Sequence, residues 1–358
     1  MNPGPVNIFD FESLAKEKIH PMAFDYYFGG AGDEITLRRN HSAFDEIFLK
    51  YRVLVDVSRR DLSTEVLGSR ISFPVMIAPT AFQRLAHPEG EIATVKAGGA
   101  EGTIMILSAL ANTSVEEVVK NSTGPVWFQL YVYKDREATK DLIRRVEEAG
   151  CTALVLTVDA PLVGTRERDI KNEFRLPEGL SVENLNAAGM GKVEGSSGAS
   201  GLAAYFSSMI DQSLNWKDIE WLRSVTKLPV LLKGIACAED AKLAHNSGVE
   251  GIVVSNHGGR QLDTCRATIE VLPEVVDAVS GKMEILVDGG IRRGTDIVKA
   301  IALGAKAVLA GRPVLWGLAH DGENGVRQVL QILRNEFDLA MALCGCRSVG
   351  EITKNLIA

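Results

Sequence analysis

Short runs of apolar residues recur along the chain, and each run ends in small or polar residues. Runs of this kind are typical of strands buried on both faces of a parallel sheet. The pattern predicts eight strands, at residues 73–79, 104–110, 126–132, 153–159, 229–235, 251–257, 284–290 and 307–313. Their starts lie 22 to 33 residues apart, except for one interval of 76, which is the spacing expected of a repeated strand, loop, helix and loop.

The segments between these strands carry helical signals. In residues 135–150, Asp135 can cap the N-terminus and Gly150 can end the helix, with small or apolar residues at helical spacing between them. Residues 295–304 show the same helical pattern, and Gly304 ends it. The alternation favours an α/β fold, a (β/α)8 TIM barrel of parallel strands. The alternative is a doubly wound open sheet, which a G-x-G-x-x-G fingerprint after the first strand would support, and none is present there.

The start of the chain precedes this repeat. We expect residues 1–70 to form an N-terminal helical extension that packs its aromatic residues against the barrel of residues 71–358. These aromatic residues are Phe24, Tyr26, Tyr27 and Phe28. Extension and barrel together are expected to form a single domain, residues 1–358.

The strand and helix repeat is also interrupted after the fourth predicted strand. The long interval there contains GMGKVEGSSGASG at residues 189–201, a stretch too rich in Gly and Ser to order itself by packing. We predict a mobile insertion, at about residues 175–215, over the mouth of the barrel. A plain surface loop is the alternative.

Composition and charge exclude several classes of partner. The 358 residues carry 39 Lys and Arg against 46 Asp and Glu, a formal charge of −7, so no global field exists to hold nucleic acid or an anionic membrane. A small anionic substrate would have to be drawn in by local cations. The N-terminus lacks the pattern of a secretion signal, and no apolar run approaches the roughly 20 residues that span a bilayer, so we expect a cytoplasmic protein.

The five cysteines are odd in number and scattered, which fits a reduced compartment. The single close pair, Cys344 and Cys346, lacks the second pair that a zinc site needs, and no metal site is predicted. We interpret the two thiols as helix-packing groups, with a redox pair as the alternative.

Seven of the eight predicted strands end in groups suited to ligand contact. In a barrel of this kind the active site lies at the C-terminal ends of the strands, so these residues are the candidates for it. In chain order, the residues at the eight strand ends are Ala78, Pro79, Thr80, Ser108, Gln129, Tyr131, Thr157, Asp159, Lys233, Ser255, His257, Asp288, Gly289, Gly290, Gly311 and Arg312.

The last two strands end in DGGIRRGTD (288–296) and AGRP (310–313). Both supply glycines whose backbone N–H groups can approach an anion, with Arg292 and Arg312 beside them. The pattern predicts a phosphate site, and turn glycines with surface arginines are the alternative.

The segment SNHGGRQLD, residues 255–263, is the most specific indication of catalytic residues in the sequence. A histidine at a strand end, two glycines and an arginine place a titratable base and a carboxylate-binding fork within one turn. Asp159, at the end of the fourth strand, is placed to reach the His257 imidazole, fix its tautomer and stabilise its charged form.

Several motifs in order along the chain resemble one family. They are APTAFQRLAHPEGE (78–91), FQLYVYKDR (128–136), TVDAP (157–161), SNHGGRQLD, DGGIRRGTD and MALCGCRSVGEI (341–352). Together they are similar to the FMN-dependent (S)-2-hydroxy-acid oxidases, the group that includes glycolate oxidase and L-lactate oxidase. The resemblance runs from about residue 7 to the C-terminus, and the family fold is a (β/α)8 barrel with FMN at its mouth.

The resemblance implies catalytic and substrate-binding roles. His257 corresponds to the base and Asp159 to its partner, while Arg260 and Arg166 correspond to the pair that holds the substrate carboxylate. Tyr26 and Tyr131 correspond to phenols that bind the carboxylate and the hydroxyl; without the resemblance, Tyr26 would be assigned to core packing.

The resemblance also implies a set of cofactor contacts. Lys233 corresponds to the residue beside flavin N1 and the C2 carbonyl. Ring contacts correspond to Gln129, Thr157, Ser108, Ser255 and the backbone around Ala78, Pro79, Thr80 and Ala81. Ribityl and phosphate contacts correspond to Asp288, Gly289, Gly290, Arg292, Gly311 and Arg312.

The implied reaction oxidises an (S)-2-hydroxy acid to the 2-oxo acid and reduces O2 to hydrogen peroxide. Plant-type glycolate oxidases carry Trp where this chain has Leu110, and the smaller side chain leaves room for the methyl group of L-lactate. Phe206 is a second candidate wall of that pocket. L-lactate is therefore the substrate expected first, with glycolate and longer 2-hydroxy acids as alternatives. Thr80 matches the glycolate-oxidising pattern.

Oxygen is the expected electron acceptor. The chain lacks a C-x-x-C-H haem site, its insertion is not an apolar anchor, and Ala81 resembles the residue usual in oxidases. A dehydrogenase with another acceptor is the alternative. Two other classes are a flavin-free barrel acting on a phosphorylated metabolite and a catalytically silent binding protein. Family members are commonly homotetramers, so we expect a homotetramer.

Overall fold

The chain forms a closed barrel of eight parallel strands, preceded by a β-hairpin. The computed structural model describes residues 4–192 and 201–358. The hairpin pairs β1 (Thr64–Val66) with β2 (Ser69–Ile71). The barrel strands are β3 (Val75–Ile77), β4 (Met105–Ser108), β5 (Val126–Leu130), β6 (Leu154–Thr157), β7 (Val230–Ile235), β8 (Gly251–Val254), β9 (Glu284–Asp288) and β10 (Ala307–Ala310).

Consecutive barrel strands are hydrogen-bonded neighbours, and β10 closes the barrel on β3, with Leu309 opposite Met76. The (β/α)8 barrel expected from the apolar runs is confirmed, and the open sheet is excluded. All eight strands lie where they were predicted, and each is shorter than its predicted range. The predicted runs included the polar residues after each strand, which are loop residues, and His257 follows the end of β8 by three positions.

Helices follow the barrel strands and precede the barrel at the N-terminus. Those the structure describes are α1 (Ile8–Lys18), α2 (Pro21–Phe28), α3 (Ile35–Asp45), α4 (Gly90–Ala100), α5 (Val115–Lys120), α6 (Arg136–Ala149), α7 (Glu167–Lys171), α8 (Gly201–Met209), α9 (Lys217–Ser224), α10 (Ala238–Asn246), α11 (Thr268–Val279), α12 (Gly294–Ala302) and α13 (Arg312–Leu343). The last is kinked at Asp321 and Gly322.

Helix α6 shows how local sequence sets these boundaries. The Asp135 carboxylate accepts the backbone N–H groups of Glu137 and Ala138, both at 3.0 Å, and so satisfies donors that lack partners in the first turn. At the other end Gly150 adopts a left-handed conformation that stops the helix. The predicted bounds are confirmed, and α12 likewise falls in the region predicted at 295–304.

Apolar side chains fill the barrel interior, and the hairpin covers its N-terminal end. The interior residues include Met76, Ile106, Trp127, Val155, Leu231, Val253, Leu286 and Leu309. Val66 and Ile71 of the hairpin join this cluster, and the Leu67 N–H donates to Glu284 at the start of β9. The bottom of the barrel is therefore closed, which leaves the C-terminal ends of the strands as the open face.

The N-terminal 70 residues are only partly helical. Three helices end at Asp45, after which the chain runs without regular structure into the hairpin. The expectation of a helical extension was wrong for residues 46–70, where exposed apolar residues such as Phe48 and Tyr51 follow no helical period.

The interval after β6 contains ordered pieces. Helices α7, α8 and α9 lie within it, and Tyr133 forms a bridge with Ile210. Residues 193–200 of the Gly- and Ser-rich stretch lie outside the described residues, so the mobile insertion stays a prediction. Within the described part of the chain, no helix is both long and apolar enough to cross a membrane.

Candidate active site

A cavity of about 1040 Å³, partly open to solvent, lies at the C-terminal ends of the barrel strands. Twenty-one of the residues singled out from the sequence line it: Tyr26, Ala78, Pro79, Thr80, Ala81, Ser108, Leu110, Gln129, Tyr131, Thr157, Arg166, Phe206, Lys233, His257, Arg260, Asp288, Gly289, Gly290, Arg292, Gly311 and Arg312. The other two, Asp159 and Ser255, lie directly behind His257 and Lys233. Residues from all eight strand ends thus meet at one place.

His257 and Asp159 form a hydrogen-bonded pair. Nδ1 of His257 lies 2.8 Å from Oδ1 of Asp159, which leaves the imidazole Nε2 as the atom not engaged by the carboxylate. Burial lowers the pKa of His257, and the neighbouring Asp159 only partly offsets this effect. Burial raises the pKa of Asp159, but the opposing effects of His257 and Lys233 outweigh it, so the net pKa is lowered. At neutral pH the pair is a neutral imidazole held by a carboxylate, which is the form a general base requires.

Lys233 is a buried cation on β7. Its ammonium lies 2.9 Å from Oδ2 of Asp288 and donates to the Ser255 hydroxyl at 2.8 Å. Burial lowers the pKa of Lys233, but Asp288 and Asp159 outweigh that effect and the net pKa is raised. The side chain therefore keeps its positive charge inside the cavity wall.

Gln129 on β5 presents a buried donor with no protein partner among the described residues. Its Oε1 accepts from the Ser108 hydroxyl and from the Ala109 N–H, both at 3.2 Å, and this orients Nε2 as the free end. An unsatisfied buried donor costs about 1 to 3 kcal/mol, so its position on a cavity wall indicates a ligand that accepts its hydrogen bond.

Arg166 and Arg260 form a cationic pair beside Tyr26. Nε of Arg166 donates to the Arg260 carbonyl at 3.2 Å, and the Arg260 guanidinium lies 4.9 Å from the centre of the Tyr26 ring. The nearest carboxylate contact of Arg166 is Asp169 at 3.9 Å. Burial and the charge of Arg260 lower the pKa of Arg166 to about 10. Two arginines held close together are stabilised by a bound anion, and their planar forks suit a carboxylate.

The N-terminal helices fix these arginines in place. Arg260 donates to the carbonyls of Tyr26 and Gly29, and Arg312 donates to those of Tyr27, Gly29 and Gly258. The last carbonyls of α2 have no partner within the helix, so arginines at its C-terminus satisfy them and meet the negative end of the helix dipole. The N-terminal segment thereby becomes part of the active-site wall.

Arg292, Arg312 and the loop after β9 surround a second anion site. Arg292 stacks over Trp316 at 4.7 Å, and burial lowers its pKa to about 10. Burial also lowers the pKa of Arg312, and its arginine neighbours add to that effect. Gly311 precedes the first turn of α13, where backbone N–H groups point outward.

Gly290 shows how closely this loop is packed. Its φ is +90°, and a β-carbon there would lie 1.9 Å from the carbonyl oxygen of Asn40. A side chain cannot be accommodated, so the backbone of the loop itself faces the cavity. This is the geometry of a phosphate cradle.

Apolar and phenolic side chains form the remaining wall. Leu110 is 3% exposed, and the Tyr131 and Phe206 rings meet edge to face with their centres 5.1 Å apart. Tyr26 stacks on Phe174 at 4.3 Å on the other side. Leu110, Phe206 and the two phenol rings therefore add apolar surface to a cavity that the arginine pair also lines.

Sequence reasoning missed several contributors. Tyr27 and Gly258 line the cavity, as do Ile291, Leu309, Ala310 and Leu315. Gln261 bridges two site loops, since its amide donates to the Asp159 and Leu162 carbonyls and its oxygen accepts from Gly164 N–H. Gln261 stood within the SNHGGRQLD motif, but a bridging role depends on which loops meet and cannot be deduced from spacing.

The chain matches the family model described as FMN-dependent dehydrogenase over residues 15–358. It belongs to the FMN-dependent dehydrogenase family. Among curated relatives it is 54% identical to glycolate oxidase 3 of Arabidopsis thaliana, covering 98% of this chain and 95% of that protein. Glycolate oxidase of Spinacia oleracea is 52% identical, with the same coverage.

Solved structures of this family show the same fold. A crystal structure of mandelate oxidase with (S)-4-hydroxymandelic acid superimposes with a TM-score of 0.94 at 43% identity, covering 99% of this chain and 98% of that one. A chimera of (S)-mandelate dehydrogenase gives a TM-score of 0.91 at 39% identity, covering 99% of each chain. The chain is an FMN-dependent (S)-2-hydroxy-acid oxidase of this family, and the resemblance stated from its motifs is confirmed.

The cavity fits FMN, the cofactor of this family. The unsatisfied Gln129 Nε2 suits a flavin carbonyl, and the buried cation Lys233 suits a ring that becomes anionic on reduction. Arg292, Arg312 and the Gly290 loop suit the phosphate. One cavity thus holds donors for both ends of the cofactor and, beside them, a carboxylate site.

Proposed function

We propose that this protein oxidises short (S)-2-hydroxy acids to 2-oxo acids, with glycolate as its principal substrate and O2 as its electron acceptor. The observation that carries the proposal is the neutral His257–Asp159 pair next to the Arg166–Arg260 pair in one cavity. A carboxylate bound to the arginines brings the carbon next to it towards a base. That is the arrangement required to remove hydrogen from a 2-hydroxy acid.

Substrate binding falls to three side chains in this proposal. Arg166 and Arg260 hold the carboxylate by charge-assisted hydrogen bonds, and the Tyr26 phenol, stacked between Arg260 and Phe174, adds a donor. Because the guanidinium positions are fixed by backbone carbonyls, little reorganisation is needed when the anion arrives.

His257 takes the hydroxyl proton at Nε2. Asp159 holds the opposite nitrogen and stabilises the imidazolium that forms. Tyr131, whose ring packs edge to face against Phe206, is placed to hydrogen-bond the same hydroxyl. Bound FMN would accept the C2 hydrogen together with its two electrons, so that both hydrogens lost in forming the 2-oxo acid are accounted for. Lys233 stays protonated next to Asp288, and its positive charge in the cavity wall would stabilise a reduced, anionic flavin ring.

We assign the remaining lining residues to the cofactor. Gln129, Ser108, Thr157 and the backbone of residues 78–81 would contact the flavin ring, while Asp288, Gly289, Gly290, Arg292, Gly311 and Arg312 would contact the ribityl chain and phosphate. Ser255 lies behind Lys233 with no exposed surface, so it would act on the ring only through the lysine ammonium.

The choice of glycolate departs from the expectation of L-lactate. Relatives at 52 to 54% identity over nearly the whole chain are named glycolate oxidases, which supports glycolate. L-lactate remains the second candidate because Leu110 lines the cavity, where its branched side chain leaves more room than Trp would. O2 as acceptor is supported by the same names, and a (S)-mandelate dehydrogenase among the structural neighbours keeps another acceptor as the competing outcome.

Anaerobic mixing of the FMN-loaded protein with substrate tests the proposal. We expect glycolate and L-lactate to bleach the visible flavin absorbance, and D-lactate to leave it unchanged. In Arg260→Met the glycolate concentration for half-maximal bleaching should rise by at least about tenfold, as for the loss of a charge-assisted bond of about 1.5 to 3 kcal/mol. Bleaching by neither acid, in protein that retains its FMN, would overturn the proposal.

A further inference from the structure

Gly234 sits in an irregularity of β7, directly after Lys233. In the pairing with β8, Lys233 lies opposite Val253 and Ile235 lies opposite Val254. Gly234 is therefore an extra residue with no paired residue on β8. Its φ is +113°, a conformation that favours glycine. The extra residue lets Lys233 point into the barrel while Ile235 joins the outer core, and it interrupts the ladder next to the active site.

The missing side chain of Gly234 leaves space that Asp159 occupies. A β-carbon on residue 234 would lie 2.6 Å from Cβ of Asp159, 2.7 Å from its Cγ and 2.9 Å from its backbone nitrogen. These separations are far below van der Waals contact. A rotation of the Asp159 side chain would not relieve them, because Cβ and the backbone are among the atoms struck. The segment cannot shift away freely either, since Val158 N–H donates to the Lys233 carbonyl at 2.9 Å.

The same Asp159 atoms position the carboxylate against His257. The Oδ1 atom lies 2.8 Å from Nδ1 of His257, while Oδ2 is buried with no partner in the described parts of the chain. The Asp159 carbonyl accepts from the Gln261 amide at 2.9 Å. Carboxylate and backbone are therefore both fixed, and displacement at Cβ would be transmitted to the carboxylate.

We propose that Gly234 is a positioning residue for the oxidation, because its lack of a side chain admits Asp159 to hydrogen-bonding distance of His257. A side chain at this position drives Asp159 away from the imidazole and weakens the stabilisation of the imidazolium. This inference rests on the proposed function of His257 as base. It also explains why a bulge interrupts the barrel strand that carries Lys233.

Gly234→Ala in the FMN-loaded protein tests this role. We expect kcat for glycolate to fall by about tenfold to a hundredfold, a part of the 10²–10⁴-fold that a positioned general base supplies. KM should change less, since the arginine pair is untouched. The acid limb of the kcat/KM profile should move to lower pH, because Asp159 raises the pKa of His257 and this effect is weakened. A loss of folded protein would instead lower the rate equally at every pH.

Gly150→Ala is the matched control. Gly150 also has a positive φ, of +97°, but the nearest atom to a β-carbon there is 3.8 Å away, on Val119. It ends α6, far from the cavity wall, so this variant carries the backbone strain without a clash and should keep the wild-type kcat and pH profile.

Asp159→Asn separates the inference from the proposed function. If Asp159→Asn lowers kcat and Gly234→Ala then adds little to it in the double variant, the two residues act as one unit, as proposed. If Asp159→Asn lowers kcat but Gly234→Ala behaves like wild type, the inference is wrong and the proposed function stands. If Asp159→Asn itself has wild-type kcat and pH profile, the assignment of the base pair fails first.

A second variant decides the case in which Gly234→Ala does not fold. Asp159→Gly removes the Cβ and Cγ atoms that the new β-carbon would strike. Recovery of folded, FMN-containing protein in the Gly234→Ala/Asp159→Gly double variant would support the contact. If neither Gly234→Ala nor the double variant folds, the clash lies with the backbone, and the role of the Asp159 side chain is overturned.

Discussion

At the scale of single residues, the active site is a balance of buried charges. Five cationic side chains, Lys233 and four arginines, line the cavity, whereas the chain as a whole carries a formal charge of −7. Asp288 is the carboxylate among the lining residues of the described chain. The local field therefore opposes the global one and attracts a small anion, as expected for a carboxylate substrate and a phosphate-bearing cofactor.

The pH dependence of flavin reduction follows from His257. Burial lowers its pKa below the ordinary value of about 6.5, so the base is neutral at and above neutral pH. The rate should be flat above about pH 7 and should fall as the pH is lowered through the pKa of His257, because protonation removes the base. Rapid-mixing measurements at saturating glycolate check this. A rate that does not fall down to the lowest pH at which the protein stays folded with FMN bound would contradict the role of His257.

Leu110 sets the size of the substrate pocket in this account. Leu110→Trp fills space beside the bound acid, so kcat/KM for L-lactate should fall relative to glycolate by about fivefold to about a hundredfold, corresponding to about 1 to 3 kcal/mol. Steady-state kinetics with both acids measure the ratio, and FMN content serves as the control for folding. An unchanged ratio would show that Leu110 does not face the substrate carbon.

The sequence predicted individual chemical groups better than their connections. His257, Lys233 and Arg312 were predicted because charged or titratable residues at the ends of buried strands are unusual, whereas Arg166 was predicted only from the family resemblance. The Gln261 bridge and the Gly234 bulge did not, because each depends on how two distant segments meet. The contact between Ser255 and Lys233 could not be predicted for the same reason, since it is set by how two strands align.

At the scale of elements, strand ends and helix ends build the site together. The glycine loop after β9 and the first turn of α13 supply backbone donors, and the C-terminus of α2 supplies acceptors for Arg260 and Arg312. The eight strands were predictable because buried apolar runs have a clear period. The strands were predicted too long because the predicted runs included the polar and glycine loop residues that follow the strands at the barrel mouth.

Gly290→Ala tests the phosphate cradle. A β-carbon there meets the Asn40 carbonyl, so the loop must move, and backbone strain of about 1 to 3 kcal/mol corresponds to a loss of FMN affinity of about fivefold to about a hundredfold. Gly281→Ala is the control, because Gly281 has a φ of +72° and open space around it. Equal FMN dissociation constants for the two variants would argue against the cradle.

At the scale of the whole molecule, several large apolar side chains are exposed in one region of the surface. Residues 48–55 run beside the end of α13, where the Arg52 N–H donates to the Leu343 carbonyl. Both segments carry large apolar side chains that are exposed. They are Phe48, Tyr51, Val53, Leu54, Leu339 and Leu343. A large apolar patch on a folded protein commonly marks a subunit contact. This segment was expected to be helical, and it forms an irregular segment with several exposed apolar side chains instead.

The homotetramer expected from the family resemblance is tested at this surface. Leu54 is fully exposed and has a φ of +58°. Leu54→Glu should lower the molecular mass measured by light scattering, because a charge would have to be buried in the contact. Leu243→Glu, at a partly exposed position on α10, should leave the mass unchanged. A monomeric wild type, or a variant of unchanged mass, would contradict this prediction.

The measurement that tests the central claim most directly is oxygen uptake by the FMN-loaded protein, normalised to bound flavin, with saturating glycolate and L-lactate in turn. The account predicts uptake with both acids, faster with glycolate, and one hydrogen peroxide formed for each acid oxidised. Bleaching of the flavin without oxygen uptake would contradict O2 as the acceptor. The absence of both would contradict the assignment of this cavity to 2-hydroxy-acid oxidation.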